Sequence, residues 1–202
     1  MSEHATRESS GKKRGKAERE TPSEPQARAE AERGTPSDLL VREARPEEYE
    51  LVGEITVDAY VGDGLVAPGS PYVAGLRDAA ARAERAELLV AELGGRVIGT
   101  VTYCRGATAY SNIADPEDAE FRMLAVTAAA RGNGVAGALV QACVDKARAA
   151  GCRALRLSTQ LDMRVAHRVY ERMGFVRTPE RDWHPNPTAT GDLLITYALS
   201  LR

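Results

Sequence analysis

A glycine-rich segment, Arg131-Gly132-Asn133-Gly134-Val135-Ala136, has the residue types and spacing of an anion-binding turn. It follows an apolar run over 121–126 and precedes a helical pattern over 135–150, so it is predicted to join a strand to a helix. The N–H groups of such a turn, and of the first helical turn, have no acceptor inside the helix, and the helix dipole adds partial positive charge. Phosphate groups meet this demand.

The surrounding sequence predicts a series of strands and helices after residue 38. Two apolar runs separated by Gly94-Gly95 indicate an antiparallel hairpin. The helix that begins at Val135 ends at Gly151 and leads into a further strand, an arrangement that favours parallel pairing. The predicted strands cover 39–44, 88–93, 97–104, 120–126, 154–158, a segment from 175, and 193–199, and the predicted helices cover 46–60, 72–85, 135–150 and 165–173.

The composition separates a charged N-terminal segment from the rest of the chain. Residues 1–38 of the 202 contain no Val, Ile, Leu, Phe, Tyr or Trp, so we expect a disordered tail. Its basic cluster over 12–16 could touch nucleic acid or an acidic partner, but the tail balances eight basic residues with eight acidic ones. A net charge of −2 for the whole chain argues against a protein whose main role is to bind nucleic acid.

Cysteine usage and hydropathy indicate a reduced compartment and no membrane span. Cys104, Cys143 and Cys152 form no paired-cysteine motif, so neither a disulfide framework nor a zinc site is expected. No apolar run approaches the roughly 20 residues of a membrane-spanning helix, and the polar N-terminus does not resemble a signal peptide. We therefore expect a cytoplasmic protein with a small partner.

Two motifs in the predicted order make the chain resemble the GCN5-related N-acetyltransferase (GNAT) superfamily over about residues 39–200. The phosphate-binding pattern of that family is Gln or Arg, two variable residues, Gly, one variable residue, then Gly or Ala, and residues 131–136 match every defined position. A second family block places an alanine before a hydrophobic-Tyr pair and Gly-Phe, as do Ala166, Val169-Tyr170 and Gly174-Phe175.

Two other phosphate-binding patterns fit less well. A dinucleotide-binding turn needs a third glycine and lies on the first strand-helix connection, whereas this turn comes late in the chain. A nucleotide-triphosphate loop needs a lysine followed by Ser or Thr, and neither follows Gly134.

The resemblance implies a fold, a donor and a set of binding residues. The fold is α+β, with a mixed, mostly antiparallel central sheet of six to seven strands flanked by helices and a V-shaped splay between the fourth and fifth strands, in a domain over 39–202. The donor is acetyl-CoA as co-substrate, and no metal is expected. The pyrophosphate would lie on Arg131, Gly132, Asn133, Gly134, Val135 and Ala136, and the pantetheine arm would pair like an extra strand with Leu124-Ala125-Val126.

The resemblance also implies catalytic roles. Tyr170 matches the family tyrosine near the coenzyme sulfur, where a phenol can protonate the departing thiolate, although a tyrosine that only packs is the alternative. Glu120 matches a position where many members carry a glutamate used as a base or water relay, and an exposed carboxylate or an anchor for the substrate ammonium is the alternative. His167, on the same helix face as Tyr170, joins the coenzyme-binding residues and could relay a proton, unless it is a packed or surface histidine.

One position departs from the family pattern. Seven residues before Tyr170 the family often has an asparagine that hydrogen-bonds near the coenzyme, whereas this chain has Met163, so that contact is lost or supplied by Gln160 or Asp162. Acceptor choice in the superfamily comes from loops that here offer acidic and aromatic side chains, which suit a cationic amine. These are Asp63, Tyr72, Tyr103, Tyr110, Trp183 and His184.

The sequence therefore predicts an N-acetyltransferase that moves an acetyl group from acetyl-CoA to a primary amine of a small molecule or peptide by direct attack. The alternative is a non-catalytic acyl-CoA sensor, which Met163 favours and which the intact Tyr170 and Glu120 oppose. A third hypothesis, that the basic tail cluster targets the domain to nucleic acid or a protein substrate, predicts salt-dependent association. A homodimer stays open.

Overall fold

The structure is a computed structural model that describes residue 1 and residues 38–106, 108–185 and 193–202. Apart from its first and last residues, the predicted tail over 1–38 lies outside the described residues. From Asp38 onward the described residues belong to one unit, Gly34–Arg202. Within this described part, no helix has the length and apolarity needed to cross a membrane.

The helices and strands follow the predicted order closely. The strands are β1 (Leu39–Glu43), β2 (Glu87–Leu93), β3 (Arg96–Arg105), β4 (Ala119–Val126), β5 (Ala154–Gln160), β6 (Val176–Arg177) and β7 (Leu194–Ser200). The α-helices are α1 (Tyr49–Gly62), α2 (Tyr72–Arg77), α3 (Ala79–Ala83), α4 (Val135–Ala149) and α5 (Arg164–Arg172). A short 3-10 turn, Pro46–Glu48, precedes α1 and contains the proline and acidic residues that suit the start of a helix.

The predicted second helix is wrong in one respect, because it is broken into α2 and α3. Asp78 lies between them with φ −78° and ψ 74°, outside the helical region, and its carboxylate accepts a hydrogen bond from the N–H of Ala81. A short aspartate side chain that caps a new helix competes with continuation of the old one. Alanine and arginine content predicted the helical state but not this break.

The sheet has seven strands in the order β1-β2-β3-β4-β5-β7-β6. All neighbouring strands are antiparallel except β4 and β5, which are parallel and are joined through α4. The α+β fold with a mixed, mostly antiparallel sheet is therefore confirmed. The β2–β3 hairpin turns at Gly94 and Gly95, which have φ 56° and 75°, a region that glycine adopts without strain.

The fourth and fifth strands separate soon after they begin. β4 and β5 pair only at Ala119 with Leu155 and at Glu120 with Arg156, although both strands run on toward their carboxyl ends. Beyond Glu120, β4 pairs with β3 alone among the described strands. The predicted V-shaped splay is thus confirmed, and it leaves one edge of β4 open.

A bulge in β4 lies at the start of the splay. Thr102 of β3 pairs with Arg122 and Thr100 pairs with Ala125, so β4 carries one extra residue over this interval. Met123 has φ 53°, the left-handed region that a non-glycine side chain rarely adopts. Because the bulge shifts the side-chain alternation by one, Arg122 and Met123 lie on the same face of the sheet.

The core consists of a large cluster on one face of the sheet and smaller clusters on the other. α4 packs over the first face, where Leu139, Cys143 and Phe121 are almost fully buried. α1 packs over the second face, and Met123 is buried there beside Val57 and Leu76. The two layers fix both the helix that begins at the glycine-rich turn and the strand that leads into it.

Candidate active site

The turn between β4 and α4 presents a row of unpaired N–H groups. Gly132 and Gly134 both have φ 79°, and Gly134 is the N-cap of α4 without a side-chain cap. Within the described residues, the N–H groups from Gly132 to Gly137 donate to no acceptor. A Cβ atom built on either glycine of the turn would meet no protein atom within 4 Å, so the turn faces open space. These features fit a phosphate-bearing ligand.

Arg131 is held at this turn by two contacts. Its Nη1 donates to the Asp63 carboxylate at 2.8 Å, and its Nε donates to the carbonyl of Val126 at 3.3 Å. Both members of the ion pair are about two-fifths exposed, at 43% and 41% of their side-chain surface. A carboxylate at the end of α1 therefore holds the guanidinium of Arg131 beside the turn.

The open edge of β4 contains Leu124, Ala125 and Val126. The N–H of Thr127 donates to the carbonyl of Ile98 on β3, so strand alternation directs the backbone groups of Val126 away from β3. The side chains of Leu124 and Val126 pack against the α4 cluster, and Ala125 is buried on the other face against Ile55. Side chains thus serve the core, and apart from the Val126 carbonyl, which accepts from Arg131, the outward backbone groups of this edge are open to an extended ligand.

Tyr170 projects from α5 into the core cluster on the α4 face of the sheet, between Phe121 of β4 and Tyr197 of β7. The residue is 4% exposed, and its ring makes edge contacts with the rings of Phe121 on β4 and Phe175, with centroids 5.8 and 6.1 Å away. Its hydroxyl has no hydrogen-bond partner in the described part of the chain. Burial raises the pKa of Tyr170, because the phenolate would be desolvated. The phenol therefore remains a neutral donor.

Glu120 has a structural task that its sequence position does not reveal. The residue is 1% exposed, and Oε2 accepts hydrogen bonds from the Ser111 hydroxyl at 2.9 Å and from the N–H groups of Asn112 and Ile113 at 2.8 and 3.0 Å. The other oxygen, Oε1, lies 3.7 Å from Nε of Arg122. Only Oε1 is left for a further contact.

His167 and the residues around the missing asparagine lie at the carboxyl end of β5. Nε2 of His167 is 2.9 Å from the carbonyl of Gln160 and donates to it, which leaves Nδ1 as the acceptor nitrogen. The side-chain amide nitrogen of Gln160 donates to the carbonyl of Leu65 at 2.9 Å, so its Oε1 is the side-chain atom left for the contact that the asparagine makes in the family. The sulfur of Met163 accepts from the Thr159 hydroxyl at 3.3 Å.

Several of the candidate specificity residues make contacts within the protein that the sequence does not indicate. Asp63 is bonded to Arg131, Tyr103 is buried under α4, and the indole N–H of Trp183 donates to the Ser158 hydroxyl at 3.0 Å. Tyr110 lies on the β4 face opposite α4, beside Met123. Asp63, Tyr103 and Trp183 are therefore engaged in contacts within the protein, whereas Tyr110 and the exposed Tyr72 lie close enough to each other to interact electrostatically.

Two residues that position the site were missed from the sequence. Gly99 on β3 lies directly under the start of α4, where a Cβ would approach the Ala125 carbonyl at 3.1 Å and side-chain atoms of Val135 and Leu139 at 3.1 and 3.2 Å. A glycine inside a predicted strand was a usable signal of close approach. Met123, which carries the bulge, gives no such signal, because methionine is not a residue that favours φ above zero.

An open strand edge that leads into an uncapped, glycine-rich helix start has the shape and the free N–H groups that suit a long ligand with phosphate at one end. The chain belongs to the acetyltransferase (GNAT) family, whose model matches residues 50–175. GNAT enzymes use acetyl-CoA as a co-substrate. No curated protein matches the sequence.

Solved structures with the same fold come from several bacteria. A GNAT-family acetyltransferase from Staphylococcus aureus Mu50 is 14% identical, with a TM-score of 0.64 over 81% of this chain and 99% of that one. The yncA protein of Salmonella typhimurium, solved with acetyl-CoA, is 18% identical, with a TM-score of 0.60 over 82% and 95% of the two chains. A ribosomal-protein-alanine N-acetyltransferase from Brucella melitensis is 18% identical, with a TM-score of 0.61 over 80% and 99%.

Proposed function

We propose that residues 39–202 form a domain that transfers the acetyl group of acetyl-CoA to a primary amine by direct attack. The observation that carries the proposal is the unpaired edge of β4 beyond Glu120, which has the free N–H groups of the glycine turn at one end and the unbonded hydroxyl of Tyr170 beside it. Family membership supports acetyl transfer, and the geometry supports the roles below.

Donor binding relies mainly on backbone groups. The N–H groups of residues 132–137 would hold the pyrophosphate, with Arg131 adding charge once it turns from Asp63. The open edge at Leu124–Val126 would pair with the amide groups of the pantetheine arm. Because these contacts come from main-chain atoms, the change at Met163 leaves them intact.

The chemistry needs a proton donor on one side and a proton acceptor on the other. When bound, acetyl-CoA supplies an electrophilic thioester carbon and a sulfur that leaves as a thiolate. The Tyr170 hydroxyl would donate to that sulfur and protonate the departing thiolate, and the proton that the attacking nitrogen loses as the amide forms would restore the phenol, whose raised pKa keeps it protonated at rest. The ammonium form of the acceptor must lose a proton first, and Oε1 of Glu120, directly or through water, or Nδ1 of His167 would receive it.

A thiol-release assay with a panel of acceptors tests the proposal. The panel contains small amines, polyamines, aminoglycosides and peptide N-termini, the last because one fold relative is a ribosomal-protein-alanine N-acetyltransferase. We expect thiol release that depends on an amine. If the coenzyme binds and no acceptor releases thiol, the enzymatic role is refuted.

The phosphate site is tested separately with a matched pair of substitutions. Gly134 and Gly151 flank the two ends of α4, have φ 79° and 69°, and both have open space where a Cβ would stand. Gly134→Asp should lower coenzyme affinity at least 10-fold, because it places a carboxylate at the pyrophosphate. Gly151→Asp imposes similar backbone strain at the far end of α4 and should leave affinity unchanged. Equal affinities for the two variants would show that the phosphate lies elsewhere.

A non-catalytic acyl-CoA sensor is the second candidate. It is favoured by Glu120, since Oε2 is fully used by the loop over 111–113, and by Met163 in place of the usual asparagine. The unbonded Tyr170 hydroxyl opposes it, because a sensor has no need of a buried donor without a partner.

A further inference from the structure

Arg82 in α3 is a buried cation without a carboxylate partner in the described residues. The residue is 3% exposed, and Nη1 donates to the Leu76 carbonyl at 2.7 Å and to the Met123 sulfur at 3.2 Å. Nη2 makes a long contact of 3.4 Å with the Thr56 hydroxyl, and Nε has no partner. Burial lowers the pKa of Arg82, which reflects how little of the guanidinium charge is compensated. Such a charge is costly unless an anion lies nearby.

Tyr110 connects Arg82 to a second guanidinium. Its hydroxyl lies 3.4 Å from the Met123 sulfur that Arg82 also contacts. The Arg122 guanidinium stands 4.9 Å from the centroid of the Tyr110 ring, and its Nη1 donates to the Tyr110 carbonyl at 2.8 Å. The β4 bulge makes this arrangement, because it puts Arg122 and Met123 on one face. We call Arg82 and Arg122 the arginine pair.

The arginine pair carries more positive charge than its surroundings offset. The carboxylate beside Arg122 is Glu120, whose Oε1 is 3.7 Å from Nε and whose Oε2 is bonded to the loop over 111–113. Arg122 has one carboxylate partner, Glu120, that is itself bonded elsewhere, and Arg82 has no carboxylate within ion-pair distance in the described residues, although the charge of Asp78 acts on it from further away. The Arg122 side chain is 19% exposed and can contact a ligand. Arg82 is buried, so it would affect a ligand only through the electrostatic field of its charge.

We propose that the acceptor amine carries an acidic group, such as a carboxylate, which Arg122 contacts and which the charge of Arg82 favours. The inference rests on the proposed function, since it names the class of acceptor for that site. Its location is consistent with transfer at the splay, because Arg122 and Met123 are where β4 leaves β5.

Matched acceptors test the proposal. Amino acids are compared with their carboxamides, which keep the size and the amine but remove the charge. For the wild-type protein we expect kcat/KM from thiol release to be roughly 10- to 100-fold higher for the acid, as a charge contact in a partly buried site implies. Arg122→Gln and Arg82→Met should each bring the ratio toward one. Arg153→Gln, an exposed ion-pair residue elsewhere on the surface, should leave it unchanged.

The stability of the Arg82 variants distinguishes a ligand role from a structural one. Arg82→Met removes a buried charge that has no counter-ion, so the Tm should stay within a few degrees or rise. Arg82→Lys keeps the charge and should retain the preference for acids. If Arg82→Met does not fold, Arg122→Gln and Arg82→Lys still decide the matter.

The outcomes separate this inference from the proposed function. Equal rates for acids and carboxamides, or a preference that survives in Arg122→Gln, would overturn the inference while acetyl transfer stands. If no acceptor releases thiol, acetyl transfer is refuted. The acidic-ligand site is then tested by the shift in Tm of the coenzyme A complex when the amino acid or its carboxamide is added. A larger shift with the acid than with the carboxamide in wild type, absent in Arg122→Gln, supports an acidic-ligand site, and equal shifts refute it.

Discussion

Replacement of Glu120 should separate a role in folding from a role in proton transfer. Oε2 accepts three hydrogen bonds from the loop over 111–113, and the residue is 1% exposed. Hydrogen bonds to a charged group are worth about 1.5–3 kcal/mol each, but the loop donors can regain water once the carboxylate is gone. We therefore expect Glu120→Ala to cost about 3–5 kcal/mol, in the range for removing one partner of a buried charged network.

Glu120→Gln keeps an oxygen acceptor and should cost only about 1–2 kcal/mol. For a domain of this size, each kcal/mol lowers the Tm by about 2–4 °C. Thermal denaturation should therefore show a fall of roughly 6–20 °C for the alanine variant and of 2–8 °C for the glutamine variant. Ser111→Ala removes one of the three donors and serves as the matched control, with a small loss of Tm and no change in kcat.

Kinetics of the glutamine variant then decide the chemical role. A general base contributes about 10²- to 10⁴-fold, so Glu120→Gln should lose that factor in kcat if Oε1 accepts the amine proton. If Glu120 serves only the loop, kcat stays within a few fold of wild type. A Tm change of less than 2 °C for Glu120→Ala would refute the structural reasoning itself.

Three further predictions concern the donor side of the site. Tyr170→Phe should lower kcat at least about 10-fold and leave the Tm unchanged, because the hydroxyl has no hydrogen-bond partner to lose. Since burial raises the pKa of Tyr170, the wild-type enzyme should show no fall in rate below pH 10 caused by ionisation of this phenol. Gly99→Ala should cost about 1–3 kcal/mol in urea denaturation and weaken coenzyme binding by pushing α4 away, unlike Gly75→Ala, where a Cβ meets nothing. Asp63→Asn should raise coenzyme affinity by up to about 5-fold in equilibrium titration, since Arg131 is released from an exposed ion pair worth about 0–1 kcal/mol. A loss of affinity would contradict the idea that Asp63 and the coenzyme phosphate compete for Arg131.

The conformation of the glycine-rich turn was predictable because its properties are local. Gly132 and Gly134 adopt the φ values that only glycine adopts easily, and the free N–H groups follow from the start of a helix. The hairpin, the parallel β4–β5 pair and the helix end at Gly151 were predicted for the same reason. The roles of Tyr170, Glu120 and His167 stay predictions.

Long-range contacts account for what the sequence did not show. The side chain of Glu120 is used by a loop that starts nine residues earlier, and Arg131 pairs with Asp63 from a distant helix. Neither of these two contacts has a periodic or compositional signal. The break at Asp78 is different, because it depends on a local side-chain cap that competes with continuous helix.

The sequence alone determined the order of the elements, the glycine turn and the class of donor, because turns and helix starts are set by neighbouring residues. Only the tertiary structure shows the arrangement around the bulge in β4. Met123 has φ 53° and is buried among α1, α2 and Arg82, and the bulge puts Arg122 on the same face, beside Tyr110. This arrangement depends on side chains from α1, α2, α3 and β4 being buried together. The sequence of any one of these segments does not reveal it.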